Sequence, residues 1–512
     1  MKKTHLKAER YILTLDSGTT SVRSLVTNNK GDVIGVQQLE FPQYFPQSGW
    51  VEHDANEIWS AQQATMLTVK QTHNIRSEQI MGTGITNQRE TIVVWSKATG
   101  RPIYHAIVWQ DRRTSEFCEQ LSKKGLGRVF QQKTGLIINP YFSGTKLKWI
   151  LDHVPGARER ASRGELLAGT IDTWLIWKLT NGKIHATDVS NASRTLLFNI
   201  HTLEWDEELL RILDIPRNIL PVVKSSSDDY GLIAPEHLGS KSPAQVRITG
   251  VAGDQQSALF GQLCLNVGDV KNTYGTGCFT LVNTGHKPVK SNNRLLTTVA
   301  WKLGKDKPVY ALEGSVFVAG AALQWLRDGL KLIYDTPISN YYVNLVKDDD
   351  QRVYMVPSFT GLGAPYWDSH SRGAIFGLER GTKTEHIVKA TLEAIAYQSN
   401  DLIKAMAKDL GKSIKVLKVD GGASKSDYLM QFQASISHLE VVRPKNTETT
   451  AMGAAYLAGL YVGFWKSVGE LQKINQVDKK FTPQLERKHV EILIRGWDEA
   501  VKRTLNWTKT VK

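Results

Sequence analysis

Three cysteines in 512 residues, Cys118, Cys264 and Cys278, are too few and too scattered for a disulfide framework or a metal-ligand pattern. That usage points to a reducing compartment. No apolar run approaches the roughly 20 residues of a membrane span. The basic start MKKTHLKAERYILTLDSG has no long apolar segment, so no signal peptide is expected and a cytoplasmic location is. Tandem repeats and Pro/Ser-rich linkers are also missing. The chain lacks GxxxxGK[ST] and a Rossmann GxGxxG, which argues against a P-loop or dinucleotide-binding protein.

The formal charge is +14, but the lysines are spread along the chain and form no basic arm, so nucleic acid is not an expected partner. Apolar content of 41% and charged content of 22% are those of an ordinary globular protein. The length allows two or three domains. Most of the 14 tryptophans are expected in the core, with some left as pocket walls.

A distant echo organises the chain. YILTLDSGTTSVRSLVTNNKGDVIGV, from Tyr11 to Val36, reads as strand, hydroxyl-rich turn, strand, turn, strand. VAGDQQSALFGQL followed by DVKNTYGTGCFTLVNTG repeats an acid and a Gly/Thr turn between strands. Two such units suggest duplicated α/β domains, 1–258 and 259–512, with a cleft between them. Helices are expected over His386–Leu402, with Thr382 and Glu385 as a capping box, over Ser426–Ile436 and over Glu448–Leu460.

Three segments suit a nucleotide. In the first, Asp16 sits at a strand end, where a carboxylate can hold a hydrated divalent cation. Behind it Ser17, Gly18, Thr19, Thr20 and Ser21 form a turn of hydroxyl and backbone donors, and Arg23 follows. In the second, Gly275-Thr276-Gly277 lets backbone approach phosphate. The third, Val419–Ser424, is a strand, a Gly-Gly turn and a helix start suited to ribose and adenine. Their order in one chain resembles the actin-like ATPases, whose nucleotide lies between two domains.

Four further pieces suit a small polyol. Arg89 donates only and ionised Glu90 accepts only, so together they can read both sides of hydroxyl groups. Trp109, Tyr141 and Phe279 offer walls, and Asp254 can serve as a general base. A surface ion pair at Arg89–Glu90 and core roles for the aromatics are the competing readings.

TNQRET (Thr86–Thr91), YFSGTK (Tyr141–Lys146), GDQQ (Gly253–Gln256) and NTYGTGCF (Asn272–Phe279) together resemble the FGGY carbohydrate kinase family, on its glycerol-phosphorylating branch. The likeness runs from about Tyr11 to about Gly463 and includes SGWVEHD (Ser48–Asp54) and RGAIFGLERGT (Arg372–Thr382). The resemblance implies two actin-like (ribonuclease H-like) domains with an ATP cleft between them. It implies transfer of phosphoryl from ATP with Mg²⁺ to glycerol, giving sn-glycerol 3-phosphate and ADP, and a homodimer or homotetramer.

By the same resemblance Asp254 is the general base, and Arg89, Glu90, Tyr141 and Asp254 bind the hydroxyls. Trp109 and Phe279 line the carbon side, and Gln255 adds a polar contact. Asp16, with Asp254, holds the metal. Thr19, Thr20, Thr276 and Gly277 face the phosphates, and Gly320, Gln324, Gly422 and Ser426 face the nucleotide. The chain departs from the family at Ser17, where Gln is usual, at Ser426, where an adenine-contacting Asn is usual, and at Glu379, where Thr is usual. The glycine-rich fructose 1,6-bisphosphate segment of some members is not apparent in Pro235–Val246. A kinase for another small polyol or a ketose, or an ATP-driven binding switch on the same fold, are the alternative functions.

Overall fold

A computed structural model describes residues 9–239, 245–346 and 352–511. Two mixed sheets built on one plan dominate it. In the first, Tyr11–Ser17, Ser21–Thr27 and Val33–Glu40 form an antiparallel meander, and Ile80–Asn87 and then Ile248–Gly253 extend it in parallel beyond Tyr11–Ser17. In the second, Val270–Tyr274, Cys278–Gly285, Val309–Val316 and Leu296–Trp301 form the meander. Val416–Asp420 and Glu440–Pro444 add in parallel to Val270–Tyr274, and Val477–Phe481 closes the edge antiparallel. The sequence echo is therefore a structural duplication. A smaller sheet of Glu52–His53, Ala106–Ile107, Ile92–Ser96 and Leu166–Thr170 stands beside the first.

Helices pack against the strands of both sheets. One of those helices, Thr449–Tyr461, is rich in alanine and glycine and packs on Ile80–Asn87, Ile248–Gly253 and Tyr11–Ser17, far from it in sequence. Its approach is backbone to backbone. A Cβ on Gly250 would lie 2.4 Å from the Ala458 nitrogen, and one on Gly453 would lie 1.8 Å from the Ser257 oxygen. Ser257 belongs to helix Asp254–Gly261, so this packing fixes the element that begins with Asp254.

The long helix covers Thr384–Leu410, longer than the sequence pattern indicated at both ends. Its expected capping box is corrected. The cap is Lys383, whose backbone N–H donates to His386 Nδ1 at 3.0 Å, while the Thr382 hydroxyl accepts from the Glu379 N–H at 2.8 Å. A turn within Glu379–Thr382 thus uses the threonine before the helix starts. The other two helices run Asp427–Ser437 and Thr449–Tyr461, each one residue later than read from sequence. The C-terminal segment, which carries no motif, forms strand Val477–Phe481 and helix Arg487–Thr504, whose Trp497 stacks on Tyr397 at 5.2 Å. Residues 240–244 of the Pro235–Val246 stretch lie outside the described residues. Among the described residues no helix is long and apolar enough to cross a membrane.

Candidate active site

Three parallel neighbours of the first sheet end in one row. Ser17 pairs with Asn87, and Asn87 with Gly253. Adjacent strands lie about 4.8 Å apart, so the Gly18–Thr20 turn, the Gln88–Thr91 turn and Asp254 leave the sheet side by side. Crevices beyond the carboxyl ends of parallel strands are where α/β sheets bind ligands. Gln88 ties two of these turns together: its backbone N–H donates to Ser17 O at 2.7 Å and its amide to Gly18 O at 3.0 Å. Gly253 is needed because a Cβ there would lie 2.6 Å from Arg89 Cγ.

Arg89 and Glu90 are buried, at 2% and 1% exposure, so the surface ion-pair reading fails. The expectation of a simple Arg89–Glu90 reading pair also needs correction, because Glu90 is held mainly by Arg194, whose Nε lies 2.6 Å from Glu90 Oε1. The Arg89 Nε–Glu90 Oε1 distance is 3.8 Å. Glu313, from strand Val309–Val316, accepts from Arg89 Nη1 at 2.5 Å, from Arg89 Nη2 at 3.0 Å and from Arg194 Nη2 at 2.9 Å. Arg89 further donates to Gln256 Oε1 at 3.1 Å and Tyr141 OH at 3.3 Å, and its Nε lies 3.1 Å from Asp254 Oδ1. Two guanidiniums and three carboxylates thus interlock, as burial of charge demands. Arg194 and Glu313 escaped the sequence reading, although Glu313 is a lone acid in the apolar run VYALEGSV and Arg194 a lone cation in NASRTLLF. Glu90 also holds a positive φ of 60°, a strained backbone for a residue with a side chain.

Asp254 is the member of this cluster open to the crevice, its side chain 30% exposed at the first turn of helix Asp254–Gly261. Burial pushes its carboxyl up to about 6, against the pull of the Arg89 guanidinium and with a further push from Glu90. Burial acts on Glu313 in the same direction, but Arg194 and Arg89 override it and hold that carboxyl down at about 2. One carboxylate is locked in its charged state and the other is poised near neutrality, the separation that acid–base chemistry uses. Gln255 turns its Oε1 to the buried Lys271 Nζ at 2.5 Å, and Lys271 also reaches Thr273 Oγ1 at 2.8 Å.

Trp109, Tyr141 and Phe279 form one aromatic wall, with Trp109 centred 5.7 Å from Tyr141 and 6.3 Å from Phe279. Phe279 comes from the second sheet, so both halves line the pocket. Trp109 Nε1 donates to Thr19 Oγ1 at 3.0 Å, which couples the wall to the first turn. The loop carrying Trp109 is clamped by the Ser48–Asp54 segment: Val51 N–H donates to Asp111 Oδ2 at 2.7 Å and Arg112 N–H to Gly49 O at 2.8 Å. Arg113 lies 3.8 Å from the Trp50 ring and 4.6 Å from the Trp149 ring. Buried Lys146, pushed down to about 7 by burial, donates to Tyr141 O at 2.7 Å and holds that residue in place.

On the opposite side, Gly275 N–H bonds to Gly277 O at 2.9 Å, and the Gly320 and Ala321 N–H groups at the start of helix Gly320–Asp328 bond to Gly275 O and Thr276 O. Thr276, Gln324 and Gly422 are exposed there, and no atom lies within 4 Å of a Cβ built on Gly422. Thr273 pairs with Asp420, which brings the Gly275–Gly277 and Gly421–Gly422 turns together.

Several expected contacts are placed differently. Ser17 is fully buried: its Oγ has no hydrogen-bond partner and its carbonyl is taken by Gln88, so the ligand-facing role expected of it passes to the exposed turn behind it. Ser21 Oγ accepts from the Gln38 amide at 3.2 Å. Ser426 is the N-cap of helix Asp427–Ser437; its Oγ accepts from Leu429 N–H at 3.2 Å and donates to Asn340 Oδ1 at 2.5 Å. Arg23 pairs with Asp16 and, at 2.5 Å, with Glu448, which stitches the halves together. Thr20 is exposed at the turn. Asp16 and Asp254 supply hard carboxylate oxygens at strand ends two strands apart, a donor set that suits magnesium completed by phosphate oxygens. Among the described residues no cluster of three or more His, Cys, Asp or Glu side chains could hold a metal alone.

The profile of the FGGY family of carbohydrate kinases, N-terminal domain, matches residues 11–261, and that of the C-terminal domain matches residues 270–461. A glycerol kinase of Mycoplasmopsis pulmonis is 67% identical over 504 residues, covering 98% of this chain and 99% of that protein. One of Mycoplasmoides gallisepticum is 66% identical over the same length, with the same coverage. Among solved structures, Plasmodium falciparum glycerol kinase with ADP superposes with a TM-score of 0.91 at 38% identity, over 97% of this chain and 98% of that one. A xylulose kinase of Lactobacillus acidophilus shares the fold at a TM-score of 0.86 and 22% identity, over 96% and 97% of the two chains.

Proposed function

Because the chain belongs to the FGGY family of carbohydrate kinases, we infer that it is a glycerol kinase, transferring the γ-phosphoryl group of ATP to a terminal hydroxyl of glycerol to give sn-glycerol 3-phosphate and ADP. The observation that carries this reading is Asp254, partly exposed at a helix start and tethered to Arg89, which also reaches Tyr141 of the aromatic wall. With its carboxyl pushed up to about 6, Asp254 is mostly ionised at neutral pH and accepts the proton as the glycerol oxygen attacks. Tyr141 and the charge cluster behind it orient the hydroxyls, and Trp109 and Phe279 pack on the carbons. The Gly18–Thr20 and Gly275–Gly277 turns cradle the phosphates from the two sides, the backbone of Gly320 and Gly422 faces the nucleotide, and exposed Gln324 adds a polar contact. Magnesium held by Asp16 and Asp254, when bound with ATP, spreads the charge of the transferring group.

Closure of the two domains, whose boundary falls after helix Asp254–Gly261 rather than at 258/259 within it, excludes water and so limits hydrolysis of ATP. A cytoplasmic homodimer or homotetramer completes the proposal; light scattering on the purified protein reads the assembly. The test of function is ADP release from ATP-Mg²⁺ with glycerol, other polyols, pentuloses or no acceptor. A rate that depends on glycerol and exceeds the others supports the assignment. Faster turnover with another acceptor moves the enzyme within the family, and equal rates with and without acceptor make it an ATPase switch.

A further inference from the structure

Behind the site lies a carboxylate that touches no crevice. Asp188, fully buried, caps the short helix Val189–Ala192 and collects five donors: the backbone N–H groups of Ser190 and Asn191 at 2.9 Å each, Ser190 Oγ at 2.9 Å, Asn191 Nδ2 at 3.0 Å and Ser226 Oγ at 2.7 Å. Two of these donors pass the restraint forward. Ser190 Oγ accepts from the Gly253 N–H at 2.9 Å, directly before Asp254. Asn191 exchanges two hydrogen bonds with the Asn87 side chain, at 3.0 and 3.2 Å, and Asn87 Nδ2 donates to Gln88 O at 2.9 Å, directly before Arg89.

We propose that Asp188 is a positioning residue for phosphoryl transfer, holding the strand end that presents Asp254 and the strand end that presents Arg89 in one fixed spacing. A helix cap would need only the two backbone donors. The side-chain relays through Ser190 and Asn191 do separate work, one on each arm of the site. Gly253 is the last ladder position of its strand, opposite Asn87, and Ser190 is the acceptor of its N–H. Ser226 adds a third tie, since its backbone carbonyl accepts from Val251 N–H at 2.8 Å in the same strand. The neighbouring buried Asp172 takes no part in these relays; it accepts from the Thr170 and Thr187 hydroxyls at 2.5 and 2.6 Å.

The inference rests on glycerol phosphorylation, and its test separates the two arms. Steady-state kcat and KM for glycerol and for ATP are measured on full-length Ser190→Ala, Asn191→Ala and Asp188→Asn, with melting temperatures as the folding control. A displacement of about 1 Å at a reacting group can cost about 100-fold in rate, and a smaller one correspondingly less. Ser190→Ala is therefore expected to lower kcat by about tenfold or more while glycerol KM stays within about twofold. Asn191→Ala is expected to raise glycerol KM several-fold with the smaller change in kcat. Asp188→Asn is expected to combine both, with ATP KM little changed. If Ser190→Ala and Asn191→Ala, folded, both keep kcat and glycerol KM within about twofold of the parent, the positioning role is overturned. It is also overturned if the two variants change kcat and KM alike, since a purely structural loss has no reason to split them. Should Asp188→Asn fail to fold, the two relay variants still decide. A parent protein without glycerol-dependent turnover overturns the functional reading, whereas an active parent with indifferent variants overturns this inference alone.

Discussion

Glu313 Oε2 lies 2.5 Å from Arg89 Nη1 across 224 positions of sequence, and its other oxygen bridges Arg89 to Arg194. One acid from the second sheet thereby fixes the guanidinium that leans on Asp254, the proposed base, of the first. Removing one partner of a buried ion cluster costs about 3–5 kcal/mol, because the remaining charges are stranded. Glu313→Ala should lower folding stability by about that amount in urea unfolding and raise glycerol KM. Arg89→Ala should behave likewise, losing stability as well as glycerol affinity. Wild-type unfolding midpoints in both variants would contradict the cluster.

Asp254→Asn keeps shape and loses the base, so kcat should fall by about 10²–10⁴-fold with ATP binding retained. Near-normal turnover would remove Asp254 from its assigned role.

Acid pH should reach the enzyme twice. Since Asp254 acts ionised and its carboxyl is pushed up to about 6, kcat/KM for glycerol should fall below about pH 6 and level off above it. Stability follows the signs of the two shifts. Glu313, held at about 2 against an ordinary 4.5, contributes stability above pH 4.5 that is lost as pH falls toward 2. Asp254, raised from 3.8 to about 6, contributes stability below 3.8 that is lost as pH rises through 6. A pH–rate profile with the break near 4 would place the active carboxyl elsewhere.

Trp109→Phe preserves much of the wall and deletes the indole N–H that binds Thr19. A neutral hydrogen bond contributes about 0.5–1.5 kcal/mol, so ATP KM should rise about two- to tenfold, with a smaller effect on glycerol. A larger change for glycerol than for ATP would show that Thr19 is not coupled to the phosphates.

Gly453→Ala drives a Cβ to 1.8 Å from the Ser257 carbonyl, on the helix that begins with Asp254. Overpacking costs about 1–3 kcal/mol, and kcat should fall too, because relief requires that helix to shift. An alanine variant with parental melting temperature and kcat would mean the contact can relax without moving Asp254.

Much of the fold and site was legible in the chain. Strand alternation, the Gly/Thr turns and the acids at strand ends are local, and they predicted the duplicated β-units and an acid, Asp254, just past a strand end, though not the helix that it begins. Less legible were commitments made by distant partners. Ser426 looked like an adenine contact, yet its hydroxyl caps a helix and meets Asn340. Arg89 and Glu90 looked like a pair, yet Arg194 and Glu313 divide them. The capping box at Thr382 yielded to a turn within Glu379–Thr382.

By itself the sequence determined in which order the β-units run and which side chains are proposed for the chemistry, because backbone propensity and side-chain type act over a few residues. Only the tertiary structure decided which charges meet. Burial forces each one to find a counter-charge wherever the folded chain supplies it, and for Arg89 that was a strand more than two hundred residues away.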